Sequence, residues 1–281
     1  MRRFLPAALT LLMTLSAGVS ASAELKTDIT FAKVGDVTLT LDAYVPEGPG
    51  PFPTAILVHG GGFTKGDKTS YITPLFKPLS DAGYAWFTIN YRLAPQHRWP
   101  ACMDDVETAI RWVRAHAAEY KVDVNRIALI GESAGGHLVS MGGIRAQGDT
   151  AVAAVVPFYA PHDLFRRAEQ RKEISEGLAG LFGVSKEVSD ASLQTMKEGS
   201  PFYKLKAGLP PYLLIHGDKD DKVPYEQSVL FQEASRKLGN TCELITIPGG
   251  GHGMGGWKAV PAGATYANEM ITWLNKVMVK K

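Results

Sequence analysis

Four short stretches of this 281-residue chain hold side chains that could do chemistry together. The first is Gly131-Glu132-Ser133-Ala134-Gly135, at the end of an apolar run. A serine hydroxyl is a weak nucleophile until an imidazole takes its proton. In a G-x-S-x-G pattern a sharp strand-to-helix turn lifts that hydroxyl above a sheet; the alternative is a serine that only caps a tightly packed helix. His59-Gly60-Gly61-Gly62-Phe63 follows "TAILV". Glycines there let backbone amides approach an oxyanion closely, because they lack a Cβ. His216-Gly217-Asp218-Lys219-Asp220-Asp221 follows "YLLI" and offers a carboxylate to orient an imidazole. Pro248-Gly249-Gly250-Gly251-His252-Gly253 follows "CELITI" and offers the imidazole. Ser133, Asp220 and His252 stand in the chain order Ser…Asp…His.

The elements around these stretches must bring them together. Residues 27–34 and 37–46 alternate and are rich in β-branched residues around Gly35-Asp36, which predicts a hairpin. Residues 54–60 and 85–92 are near-continuous apolar runs, as buried parallel strands are. Further strands are predicted over 126–131, 152–158, 211–216 and 242–247, and helices over 69–82, 104–119, 134–146, 225–238 and 263–279. This alternation predicts an α/β fold with a doubly wound, mostly parallel sheet in one domain, residues 24–281. Ligands of such sheets bind beyond the carboxyl ends of the strands, where all four stretches fall. Residues 161–204 break the rhythm and are expected to form a short helical insertion, a lid over that edge. A solvated crossover helix is the alternative.

The first 23 residues combine a basic start, an apolar core and Ala21-Ser22-Ala23, the features of a cleavable signal peptide. A secreted or periplasmic protein is expected, with no stable membrane insertion after cleavage. The formal charge of +2 includes Arg2 and Arg3, so the remainder is neutral. That gives no electrostatic reason to expect nucleic acid or an anionic membrane as partner. Cys102 and Cys242 could pair in an oxidising compartment or remain buried thiols. No His/Cys cluster has metal-ligand spacing, so no metal site is expected.

The segments "HGGGF…GDK", "YRLAPQHRWPACMDD", "VDVNRIALIGESAGGHL", "HGDKDDKVP" and "PGGGHG" together resemble the α/β-hydrolase esterases and lipases. They are most similar to the hormone-sensitive-lipase-like and bimodular-feruloyl-esterase types. The resemblance implies Ser133 as nucleophile, His252 as base, and an oxyanion hole from the amides of Gly61, Gly62 and Ala134. Aligned on Val223-Pro224, its H-G-x-x-D-x-x-V-P pattern selects Asp220 as the acid. Asp218 is then a turn former and Asp221 a solvated turn residue. It also implies ester hydrolysis without a cofactor, on a small-molecule or carbohydrate-linked ester.

Of the seven histidines, His97 and His116 are expected at the surface, and His137 and His216 packed. His59 is expected to brace the glycine loop. His162 is expected at the pocket or the surface. Tyr91-Arg92 and Asp104-Asp105 read as structural brackets for the serine turn, and Glu132 as its hydrogen-bonding support. Among the aromatics, Phe63 and Trp257 are the candidates for substrate contact, because each neighbours a chemistry-bearing loop. The reading is a serine ester hydrolase on short-chain acyl or aromatic-acid esters, such as acetyl or feruloyl groups. An amidase, formamidase or peptidase using the same three residues is the alternative. A non-catalytic binding protein would be expected to lack one of them.

Overall fold

Alternating apolar strands and amphipathic helices assemble into one sheet with helices on both faces. The computed structural model describes residues 22–279. The expected signal segment therefore lies outside the described residues, apart from Ser22 and Ala23. In chain order the elements are β1 (Glu24–Val34), β2 (Val37–Val45), β3 (Phe52–Val58), α1 (Phe76–Asp81), β4 (Ala85–Ile89), α2 (Ala101–Ala115), β5 (Val122–Glu132), α3 (Ala134–Arg145) and β6 (Ala154–Phe158). Then come α4 (Leu164–Arg171), α5 (Glu176–Phe182), α6 (Asp190–Gly199), β7 (Tyr212–Gly217), α7 (Glu226–Lys237), β8 (Cys242–Ile247), α8 (Met254–Trp257) and α9 (Tyr266–Val277).

The sheet order is β1-β2-β4-β3-β5-β6-β7-β8. The pairs β1·β2 and β2·β4 are antiparallel, and every pairing from β4·β3 to β7·β8 is parallel. The period of two along β3 separates two cores. Ala55 and Leu57 pack with Leu75, Leu79, Met270 and Leu274 of the α1 and α9 side. Ile56 and Val58 pack with Val106, Ile110, Leu138 and Phe231 on the other face. Both faces of the central strands are thus covered, which is why they read as continuous apolar runs. The GDK segment is a clamp on the hairpin: Lys68 Nζ reaches Asp28 at 2.9 Å and Asp42 at 3.0 Å.

Two elements differ from the sequence expectation. The helix expected over 69–82 is a 3₁₀ turn, Thr73–Leu75, running into α1. The Asp67 carboxylate delays it by accepting hydrogen bonds from Thr69 N–H, Thr69 O–H and Ser70 O–H. The short helix α8 was not foreseen. Residues 161–204, read as a helical insertion, hold the three helices α4, α5 and α6. Both cysteines are buried free thiols.

Candidate active site

β5 passes into α3 through Ser133 alone. The residue has φ 52° and ψ −115°, a region costly for any side chain. Two contacts hold it there. Ser133 N–H donates to the Phe158 carbonyl at 2.9 Å, tying the turn to β6. Gly135 lies so close to β3 that a Cβ would overlap the carbonyl oxygens of Val58 and His59.

The loops after β7 and β8 bring the other two groups to Ser133. His252 Nε2 lies 3.0 Å from Ser133 Oγ, and His252 Nδ1 lies 2.7 Å from Asp220 Oδ2. An ionised carboxylate only accepts, so Nδ1 carries the proton and Nε2 is free to accept from the serine hydroxyl. Asp220 is itself fully buried at its side chain. Burial alone would raise its pKa. Hydrogen bonds from His216, His252 and the Val223 amide outweigh that and hold the carboxyl far below the usual carboxylate range. Its other oxygen, Oδ1, accepts from the amides of Lys222 and Val223, both at 2.8 Å. Asp221 instead points to solvent and pairs with Lys222 at 3.0 Å. Asp218 accepts from the Gly249 amide at 2.7 Å, so it fastens the β7 loop to the β8 loop rather than forming only its own turn.

The glycine loop after β3 lines the cavity that also holds Ser133 and His252. Gly61 and Gly62 both have positive φ, 101° and 64°. Among the described residues neither amide donates a hydrogen bond. Ala134 opens α3, where amides have no intrahelical acceptor. Gly61, Gly62 and Ser133 share one open cavity of about 750 Å³. Gly62, Ser133 and Ala134 share a second of about 110 Å³.

Supports for this loop explain several residues at once. Tyr91 O–H donates to the His59 carbonyl at 3.0 Å, and its ring stacks on His59 at 4.3 Å. Arg92 is pinned by Asp105 at 2.7 Å. The Tyr91-Arg92 segment, expected to bracket the serine turn, therefore braces the glycine loop instead. His59 Nδ1 lies 2.7 Å from the Gly60 carbonyl, and burial lowers its pKa to about 4. Glu132, 3% exposed, accepts from the Gly60 amide. Burial raises the Glu132 pKa to about 7, against the lowering effect of that amide and of His252.

The expected pocket aromatics separate. Phe63 lines the small cavity, held edge-on against His137 at 5.3 Å. Trp257 does not contact the site. It is fully buried against Phe158, Tyr159 and Tyr266, and its Nε1–H donates to the Gly251 carbonyl at 2.8 Å. The ring is apolar bulk under the His252 loop, and its one polar atom fixes that loop. His162 is neither at the pocket nor at the surface. It is fully buried, stacked on Phe231 and 3.0 Å from Ser140 Oγ. Sequence reasoning missed the role of His216, whose Nε2 lies 3.2 Å from Asp220 Oδ2 and 3.0 Å from the Val223 carbonyl. It also missed Tyr159, whose ring meets His252 edge-on at 4.8 Å. Among the described residues no group of three or more His, Cys, Asp or Glu could hold a metal ion.

The BD-FAE family model matches residues 41–235. The chain belongs to this family. Its BD-FAE region contains Ser133 and Asp220, while His252 lies beyond the match. Among curated proteins it is similar to esterase LipC of Mycobacterium tuberculosis, 32% identical over 240 residues that cover 81% of this chain and 59% of LipC. It is also similar to esterase LipQ of the same organism, 32% identical over 71% of this chain and 50% of LipQ. The chain spans about half the length of these relatives. Among solved structures, a truncated carbohydrate esterase from gut microbiota matches with a TM-score of 0.80 at 27% identity, covering 93% of this chain and 99% of the other. Thermogutta terrifontis esterase 2, phosphorylated by paraoxon, matches with a TM-score of 0.72 at 27% identity, covering 92% and 96%. The fold is that of the α/β-hydrolases.

Proposed function

We propose that the protein is a serine carboxylic-ester hydrolase. The observation that carries this reading is the hydrogen-bonded line Ser133–His252–Asp220, facing backbone amides with no acceptor of their own. Ser133 Oγ attacks the ester carbonyl as His252 Nε2 removes its proton. Asp220 holds the ring tautomer and stabilises the imidazolium. The amides of Gly61, Gly62 and Ala134 receive the oxyanion. His252 then protonates the leaving alkoxide. In the second half it takes a proton from water, which attacks the acyl-enzyme and releases the acid.

Short-chain acyl or aromatic-acid esters, free or carbohydrate-linked, are the substrates we propose. Two things support this. One cavity at Ser133 is small, about 110 Å³, and the other is broad and open, about 750 Å³. A similar structure is a carbohydrate esterase by its own description. In the same reading, 161–204 is a lid over the site, since α4 and α5 contribute Arg167, Glu176, Gly177 and Leu178 to the cavity walls. Export by residues 1–23 rests on the sequence pattern alone.

The test is a series of p-nitrophenyl esters from acetate to palmitate, beside methyl ferulate and acetylated xylan, with wild type and Ser133→Ala. Turnover of short esters that drops at least about 10⁴-fold in the variant is expected. Equal turnover by both proteins would overturn the assignment.

A further inference from the structure

The small cavity beside Ser133 is lined by a cation that no hydrogen bond or ion pair engages, although the Asp220 carboxylate acts on it from a distance. Arg167 of α4 lines it together with Ser133, Ala134, Leu178 and Val223. Its neighbours in sequence are engaged. Arg166 pairs with Glu226 at 2.6 Å, and Arg171 donates to the Lys222 carbonyl at 3.0 Å. The Arg167 guanidinium has no hydrogen-bond or ion-pair partner among the described residues. The acids near it are committed elsewhere: Glu173 to Lys186 at 3.1 Å, and Asp220 to His252 and His216. Burial lowers the Arg167 pKa to about 10, which leaves it charged at neutral pH.

A guanidinium with no protein partner at a cavity wall is free to pair with an anion that enters. Here it lines the same space as Ser133. About 110 Å³ holds roughly four water-sized groups, taking ~30 Å³ for each. Arg167 also lines a separate cavity of about 200 Å³, with Arg171 and Leu178. An apolar acyl chain longer than the first cavity would have to displace the guanidinium. A chain that ends there in a carboxylate would instead meet a planar donor fork suited to two parallel hydrogen bonds. The second cation of the cavity, Lys222, is exposed and has Asp221 as partner, so it reinforces the sign of the potential without closing the site.

We propose that this cavity is an acyl subsite for short dicarboxylic half-esters, with Arg167 as the specificity-determining residue that receives the free carboxylate. The proposal rests on the ester-hydrolase reading. The alcohol leaves through the broad cavity. One water is consumed, and an alcohol and a dicarboxylate are released. Succinyl, with two methylenes between its carbonyl carbons, is the acyl group we take for the test.

The experiment compares kcat/KM for monoethyl succinate with that for ethyl butyrate, in wild type, Arg167→Met and Arg167→Lys. O-butyrylglycolate, with the carboxylate on the alcohol side, is the third substrate. Wild type is expected to favour the half-ester relative to the neutral ester, and Arg167→Met to lower that ratio about tenfold or more. Arg167→Lys should restore part of it. Thermal melts establish that each variant is folded. An unchanged ratio in Arg167→Met overturns the proposal, as does an Arg167-dependent preference for O-butyrylglycolate over monoethyl succinate. Turnover of p-nitrophenyl acetate without any half-ester preference sinks the subsite and leaves the esterase reading standing. Titration calorimetry with succinate on wild type and Arg167→Met decides the subsite even if no ester is turned over: binding lost in the variant supports it, and no binding to wild type refutes it.

Discussion

Glu132 is a carboxyl that the fold keeps from ionising at mildly acid pH, so its removal should be visible in stability against pH. Its pKa rises from 4.5 to about 7 through burial. A carboxyl raised on folding stabilises the folded state fully below its unfolded pKa. That contribution is lost as pH climbs through the folded value. At ~1.4 kcal/mol per pH unit, the interval amounts to roughly 3 kcal/mol between pH 4.5 and pH 7. Glu132→Gln keeps the oxygen that accepts from the Gly60 amide and removes the titration. Relative to this variant, wild type should therefore lose about 3 kcal/mol of stability from pH 4.5 to pH 7.5. The difference between the two proteins must be read, and not the wild-type curve alone. Burial lowers the pKa of His59 and of His137 to about 4. Those histidines act with opposite sign, withdrawing stability as pH falls from about 6.5. They are common to both proteins and cancel in the difference. Urea unfolding at half-unit steps from pH 4.5 to 7.5 measures it. A difference that is flat with pH, or that favours wild type as pH rises, would refute a neutral buried Glu132.

Other substitutions probe the supports. His216→Phe removes one donor from the Asp220 carboxylate. It should lower kcat/KM for p-nitrophenyl acetate by about tenfold or more, counted per site labelled by a fluorophosphonate, while the fraction of labelled sites holds. Gly135→Ala would drive a methyl into the β3 backbone and should cost about 3 kcal/mol or more in urea unfolding. Gly62→Ala meets no atom within 4 Å and bears only the strain of its positive φ, so about 1 kcal/mol is expected there. Lys68→Met leaves buried Asp42 without its cation and should cost about 3 kcal/mol by the same assay; a loss under 1 kcal/mol would refute the clamp.

The strand ends were legible because β3, β5, β7 and β8 are apolar runs that stop at glycine, and such stops sit at one edge of a parallel sheet. For the same reason the residues that converge on Ser133 could be named in advance. What could not be read were contacts created by folding between groups with no periodic signature. His216 and Asp220 are four residues apart across a turn, and nothing in "HGDKD" tells which way that imidazole faces. Trp257 follows a catalytic loop by only five positions, yet a large ring finds more apolar surface below the loop than above it. His162 looked polar enough for the pocket but fills a core position, with Ser140 satisfying one nitrogen. The helix expected from residue 69 began late because a single carboxylate, Asp67, offered the chain a better local set of bonds.

Finally, α5 rests directly on the glycine loop. The space between Gly177 and the Gly62 carbonyl is too small for a methyl group. Phe63 O accepts from the Ala94 amide at 2.9 Å, and Leu181 O from the Trp99 amide at 2.8 Å, so one stretch of chain ties loop and helix together. The wall of the site and the amides facing Ser133 thus form one mechanical unit. Raising that wall would dismantle the amide cradle, so the two cannot keep separate clocks. A lid built this way would be a fixed wall, and the open cavity that it bounds together with the glycine loop would be the way in and out.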